Sequence, residues 1–70
     1  MEATISDAAG TIVATARTRP FISPYGPGTE VLYRVLVAGR WTHAASRWPY
    51  AMTPAELADD LARHRRAAFQ

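Results

Sequence analysis

The chain has 70 residues and a formal net charge of +2, and all eight of its fixed cations are arginine, with no lysine, asparagine or cysteine. Those omissions exclude a thiolate nucleophile, a Schiff-base lysine, a disulfide framework and a thiolate metal site. What remains is a planar, permanently charged donor suited to carboxylate or phosphate.

At this length the chain is one domain, close to the smallest that a single apolar core supports. Its apolar fraction is 49%, yet 14 of those residues are alanine, which buries little surface. The expectation is a stability on the order of 3–5 kcal/mol, or self-association. No apolar run approaches the roughly 18 residues of a spanning helix, and Met1-Glu2-Ala3-Thr4 is acidic where a signal peptide is basic. A cytoplasmic protein without a membrane anchor is the expectation. Arginine in place of lysine is also what a GC-rich coding sequence produces, so positions rather than counts must carry the argument.

Residues 3–6 and 11–18 are rich in Thr, Ile and Val, which favour strands. Asp7-Ala8-Ala9-Gly10 between them has Asp and Gly at the first and fourth places of a turn, so residues 1–18 read as a hairpin. The expected register sets Ile5 against Val13 on one face and Thr4, Ser6 and Ala14 on the other. Residues 19–29 hold Pro20, Pro24, Pro27, Gly26 and Gly28 and read as an irregular loop.

Residues 30–47 read as a second hairpin. Val31, Tyr33 and Val35 alternate with Leu32, Arg34 and Leu36, and Val37-Ala38-Gly39 suits a three-residue loop. That loop length pairs Val35 with Trp41, Tyr33 with His43 and Val31 with Ala45. The opposite face then collects Glu30, Arg34, Arg40, Thr42 and Ser46. Thr53-Pro54-Ala55-Glu56 is a capping box with proline at the first helical position. It opens a helix over 53–68, apolar at spacings of three and four. The fold class is α+β: an antiparallel sheet of three to four strands in two hairpins, with one C-terminal helix packed on one face.

Several groups could carry function. Arg63, His64, Arg65 and Arg66 follow Glu56, Asp59 and Asp60, the order the helix dipole favours, and Asp59–Arg63 has the spacing of a stabilising pair. Arg34, Arg40, Thr42 and Ser46, joined by Arg17, read as a set on the sheet face away from the helix, with the donors used to reach phosphates and bases, and the expected nucleic-acid-binding residues are Arg17, Arg34, Arg40, Thr42 and Arg47. Trp48, Phe21, Tyr25, Leu32 and Leu36 read as a surface for a protein partner. In that register Trp41 faces the core. His43 and His64 are 21 positions apart with no carboxylate pattern around them. No metal site, cofactor or catalytic residue is read, and the chain is expected not to be an enzyme.

Residues Leu32–Arg65, with Tyr33-Arg34-Val35 opening a strand and Thr53-Pro54-Ala55-Glu56 starting the helix, resemble the arm-type DNA-binding domains of tyrosine recombinases. The likeness implies antiparallel strands followed by a helix, with DNA bound by the sheet. The dense basic strand of such domains is missing, since Trp41–Arg47 holds a single cation at its end. The expected function is a small basic binding module for nucleic acid, DNA foremost, or for DNA-associated regulation. The alternative is a protein-interaction module or homodimeric adaptor, so the expected partner is nucleic acid, an acidic protein surface or a second copy.

Overall fold

The computed structural model describes all residues, Met1–Gln70. Four strands, β1 (Glu2–Ser6), β2 (Ile12–Ser23), β3 (Gly26–Val37) and β4 (Arg40–Trp48), precede one helix, α1 (Pro54–Ala68). The strands form one antiparallel sheet in the order β1-β2-β3-β4. The expected α+β architecture is therefore observed, with all four strands in one sheet.

The first turn forms as read. Asp7 Oδ1 accepts from the backbone N–H groups of Ala9 and Thr11, both at 3.0 Å. The register beyond it differs from expectation. Ile5 stands opposite Ala14 and Ser6 opposite Ile12, so a bulge at Val13 shifts the ladder by one. Ala14 consequently faces the helix and is fully buried.

Residues 19–29 are not a loop. β2 and β3 are each 12 residues long and continue as a two-stranded ribbon to a turn at Pro24-Tyr25. The prolines are tolerated because their nitrogens point away from the pairing. Thr18 donates its N–H outward to the Met1 carbonyl at 2.9 Å. Pro20, two residues on, has its nitrogen on that same side, beyond the Glu2–Arg17 end of the β1 ladder. Pro27 lies likewise beyond the β4 ladder, which ends at Thr29–Trp48. Strands of this length give the molecule its 40 Å long axis against 19 and 17 Å across.

The second hairpin turns on two residues, Ala38 and Gly39, with φ of 51° and 77°. That is the primed turn favoured between twisted strands. It pairs Val35 with Thr42, Tyr33 with Ala44 and Val31 with Ser46. The expected three-residue loop is thus one residue too long, and every β4 side chain lies on the face opposite to the one expected. Packing explains the choice. Small residues, Ala44 and Ser46, stand beside Tyr33 and Val31 and leave room for the Tyr33 ring to reach the helix.

α1 covers β1, β2 and β3 but not β4. Thr53 and Glu56 form the capping box: Thr53 Oγ1 accepts from Glu56 N–H at 3.2 Å, and Glu56 Oε1 accepts from Thr53 N–H at 2.9 Å. Acid leads and base ends the helix, as its dipole favours. Leu57 and Leu61 are completely buried against Ala14, Ala16, Val31, Tyr33 and Val35. The alanines let the helix axis come close, and Leu57 and Leu61 are the largest of the fully buried side chains.

One buried polar cluster locks helix to sheet. The Tyr33 hydroxyl donates to Asp60 and meets Ser46 Oγ at 2.7 Å, while Ser46 also accepts from the Trp48 indole N–H at 3.2 Å. His64 stacks on the Tyr33 ring at 4.1 Å between centroids. Arg63 donates to Asp60 at 3.0 Å, so its helical acid partner is Asp60 and not Asp59. Burial, aided by the Asp60 acceptor, pushes the Tyr33 hydroxyl above its ordinary pKa of 10.0.

Candidate binding face

The sheet face away from α1 is uncovered, and the strand register dictates what it displays. Across β2, β3 and β4 one row reads Arg19, Glu30, Arg47. The next reads Arg17, Leu32, Ala45, extended on β1 by Glu2. A third reads Thr15, Arg34, His43, and the last brings Leu36 beside Trp41. Phe21 lies on this face further along the ribbon, opposite Gly28.

Four guanidinium groups therefore share the face, and two carboxylates stand among them. Arg17 pairs with Glu2 at 3.0 Å. Glu30, whose side chain is only 8% exposed, accepts from Arg47 at 2.9 Å and from Arg19. Hydrogen bonds from Arg47 and then Arg19 hold the Glu30 carboxyl below the usual carboxylate range, against the opposing effect of burial. The arginine side chains of all three pairs remain largely exposed, so the pairs orient guanidinium groups more than they stabilise the fold.

The other two features are aromatic. Arg34 lies over the Trp41 ring at 5.1 Å, and Arg47 over the Phe21 ring at 5.3 Å. Such pairs hold both partners in place at little cost in solvation. Trp41 nevertheless keeps 39% of its surface exposed, with Leu36 half-buried beside it and Leu32, also half-buried, two rows further along β3 beyond Arg34. Phe21 reaches its position because Gly28 has no side chain. A Cβ there would collide with the Phe21 ring and the Trp48 carbonyl.

Of the expected phosphate-binding set, Arg17, Arg34 and Arg47 are on the open face. Arg40 and Thr42 are not: the two-residue turn sends them to the helix side, where the Thr42 hydroxyl donates to the Val35 carbonyl at 2.9 Å. Of the expected partner surface, Phe21, Leu32 and Leu36 are on the open face and Tyr25 is at the ribbon tip, 88% exposed. Trp48 is separated from them by the sheet. It packs against the helix-side core and meets Tyr50 edge-on at 5.7 Å. The sequence reading also missed Arg19, which it assigned to a loop, and Trp41, which it assigned to the core. The strand-like alternation of Arg17, Arg19 and Phe21 was the available signal for the first.

Two depressions flank these groups. A shallow groove of about 300 Å³ runs over β1 and β2, with Glu2, Thr4, Thr15, Arg17 and Arg34 in its lining. A cleft of about 270 Å³ on the other side lies between Trp48, Tyr50, Met52, Glu56, Asp59 and Arg63. No group of three or more His, Asp or Glu stands together as a metal site would need, and no helix is long and apolar enough to cross a membrane. No family model, curated protein or solved structure matches the chain.

Proposed function

We propose that the chain is a protein-interaction module whose open sheet face takes an acidic partner surface. The observation that carries this reading is the strip formed by Arg34, Trp41, Leu36 and Leu32, left uncovered by every element of the fold. Trp and Arg are the residue types that most often dominate binding energy at protein interfaces, and an apolar strip rimmed by charge suits a partner better than bulk water. Four cations against two carboxylates give the face a modest positive balance, which favours acidic partners and speeds their approach.

A second reading, nucleic acid on the same face, is favoured by the four guanidinium groups and by the exposed Trp41 ring, on which an unpaired base can stack. Glu2 and Glu30 weaken it, because each neutralises charge that phosphates need. The experiment that separates the two titrates the chain with short duplex and single-stranded DNA at low salt, alongside affinity capture from cell lysate. We expect a protein retained by the chain and lost from an Arg34→Ala/Trp41→Ala double variant, with no salt-dependent DNA binding. DNA binding that weakens steeply with salt and vanishes in the double variant overturns the protein reading in favour of nucleic acid.

A further inference from the structure

β4 is the least covered strand of the sheet, with only Ser46 and Trp48 near its end engaged on the helix side. Its outer edge has no neighbour, α1 stops short of it, and its open-face side is uncovered. The other edge strand, β1, is five residues long and lies under the helix. β4 is nine residues long and pairs with β3 without a bulge. It contains no proline, and its only fixed charges, Arg40 and Arg47, stand near its two ends and leave the middle of the edge unguarded.

The order of residues on β4 says what fits there. Arg40-Trp41-Thr42-His43-Ala44-Ala45-Ser46-Arg47-Trp48 is nearly its own complement when reversed about Ala44. We infer that a second copy of this chain docks on the β4 edge, antiparallel, with the two-fold axis at Ala44, continuing the sheet from one subunit into the other. This goes beyond the proposed open-face reading and does not depend on it.

In that register Trp41 stands opposite the partner's Arg47 and Arg40 opposite the partner's Trp48. Thr42 meets the partner's Ser46, and the two Ala44 residues meet at the axis. No charge meets its like across the axis, and each arginine stands opposite a neutral residue, which spares the edge the like-charge repulsion that disfavours cross-strand pairs. A shift of one residue along the edge would set Trp41 against the partner's Trp48 and Thr42 against the partner's Arg47, and lose both matches.

The backbone agrees. The tight turn makes Val37–Arg40 the closing hydrogen-bonded pair, so Arg40, Thr42, Ala44, Ser46 and Trp48 turn their N–H and C=O groups toward β3. Trp41, His43, Ala45 and Arg47 turn theirs to the free edge. With the axis at Ala44, Trp41 pairs with the partner's Arg47 and His43 with the partner's Ala45, and every one of those edge groups finds a mate.

The test uses the full chain, which has no cysteine of its own. Sedimentation over a concentration series is expected to show a reversible dimer. Ala44→Cys is then expected to cross-link under mild oxidation, because facing Cα atoms in a non-hydrogen-bonded pair are about 4.5 Å apart, within disulfide reach. Ala45→Cys is expected not to, since its twin lies diagonally at about 7–8 Å. Ala45→Pro removes one outward N–H without touching the β3 ladder and is expected to sediment as a folded monomer. A wild-type chain that stays monomeric throughout overturns the inference. Equal cross-linking at 44 and 45, or a dimer that survives Ala45→Pro, overturns it as well.

Discussion

The two faces of this sheet are built from opposite materials. Toward the helix stand Ala14, Ala16, Val31 and Val35, all small or compact and wholly buried, with Tyr33 alone reaching a polar group. Away from it stand Arg17, Arg19, Arg34, Arg47, Phe21, Leu32, Leu36 and Trp41, larger and only partly covered. Burying apolar area is worth roughly 25 cal/mol per Å², so a small domain would normally turn its largest side chains inward. Here the helix side needs small residues because α1 must approach closely. Apart from Tyr33 and Trp48, the bulky groups of the sheet are left outside, where their area is available to a partner. One face holds the fold, and the other is free to bind.

The contrast can be broken most severely on the helix side. Leu57→Ala or Leu61→Ala should cost about 2–5 kcal/mol, comparable to the whole expected stability, and urea unfolding followed by circular dichroism should show little folded protein. Gly28→Ala tests the one place where open face and chain path meet. The added methyl strikes the Phe21 ring and the Trp48 carbonyl, and a loss of about 1–3 kcal/mol is expected.

Acid offers a milder probe. The folded pKa of Glu30 is depressed, so its contribution to stability is present above the ordinary carboxylate value of 4.5 and disappears as pH falls through the lowered folded value. Thermal melts through that acid range should show a decline that Glu30→Gln flattens, and an unchanged decline in the variant would remove Glu30 as its source. The smallest change lies at the β3–β4 turn. Ala38 occupies the left-handed region at φ 51°, so Ala38→Gly should stabilise the chain by up to about 1 kcal/mol without altering either face.

How far the sequence disclosed this arrangement differs by element. α1 was legible to within a residue because Thr53-Pro54-Ala55-Glu56 signals through local hydrogen bonds alone. Strand pairing between residues 30 and 47 was legible, but its register was not. An alanine at positive φ is a poor local choice, and the contacts of Tyr33 with Ser46, His64 and Asp60 that this register permits are not signalled locally. That one-residue difference moved Arg40 and Thr42 off the candidate face and brought Trp41 onto it. The β2–β3 ribbon was misread because proline excludes a strand only where its nitrogen faces a partner. At Pro20 and Pro27 it faces an open edge, which the sequence does not reveal until β1 and β4 are placed.

The division of labour between the faces is tested most directly by the unfolding free energy of the Arg34→Ala/Trp41→Ala double variant, measured by urea titration beside the unmodified chain. The account predicts a loss of no more than about 1 kcal/mol, as for partly exposed groups outside the core. A loss of about 3 kcal/mol or more, on the scale of Leu57→Ala, would make the open face part of the fold's own support and contradict it.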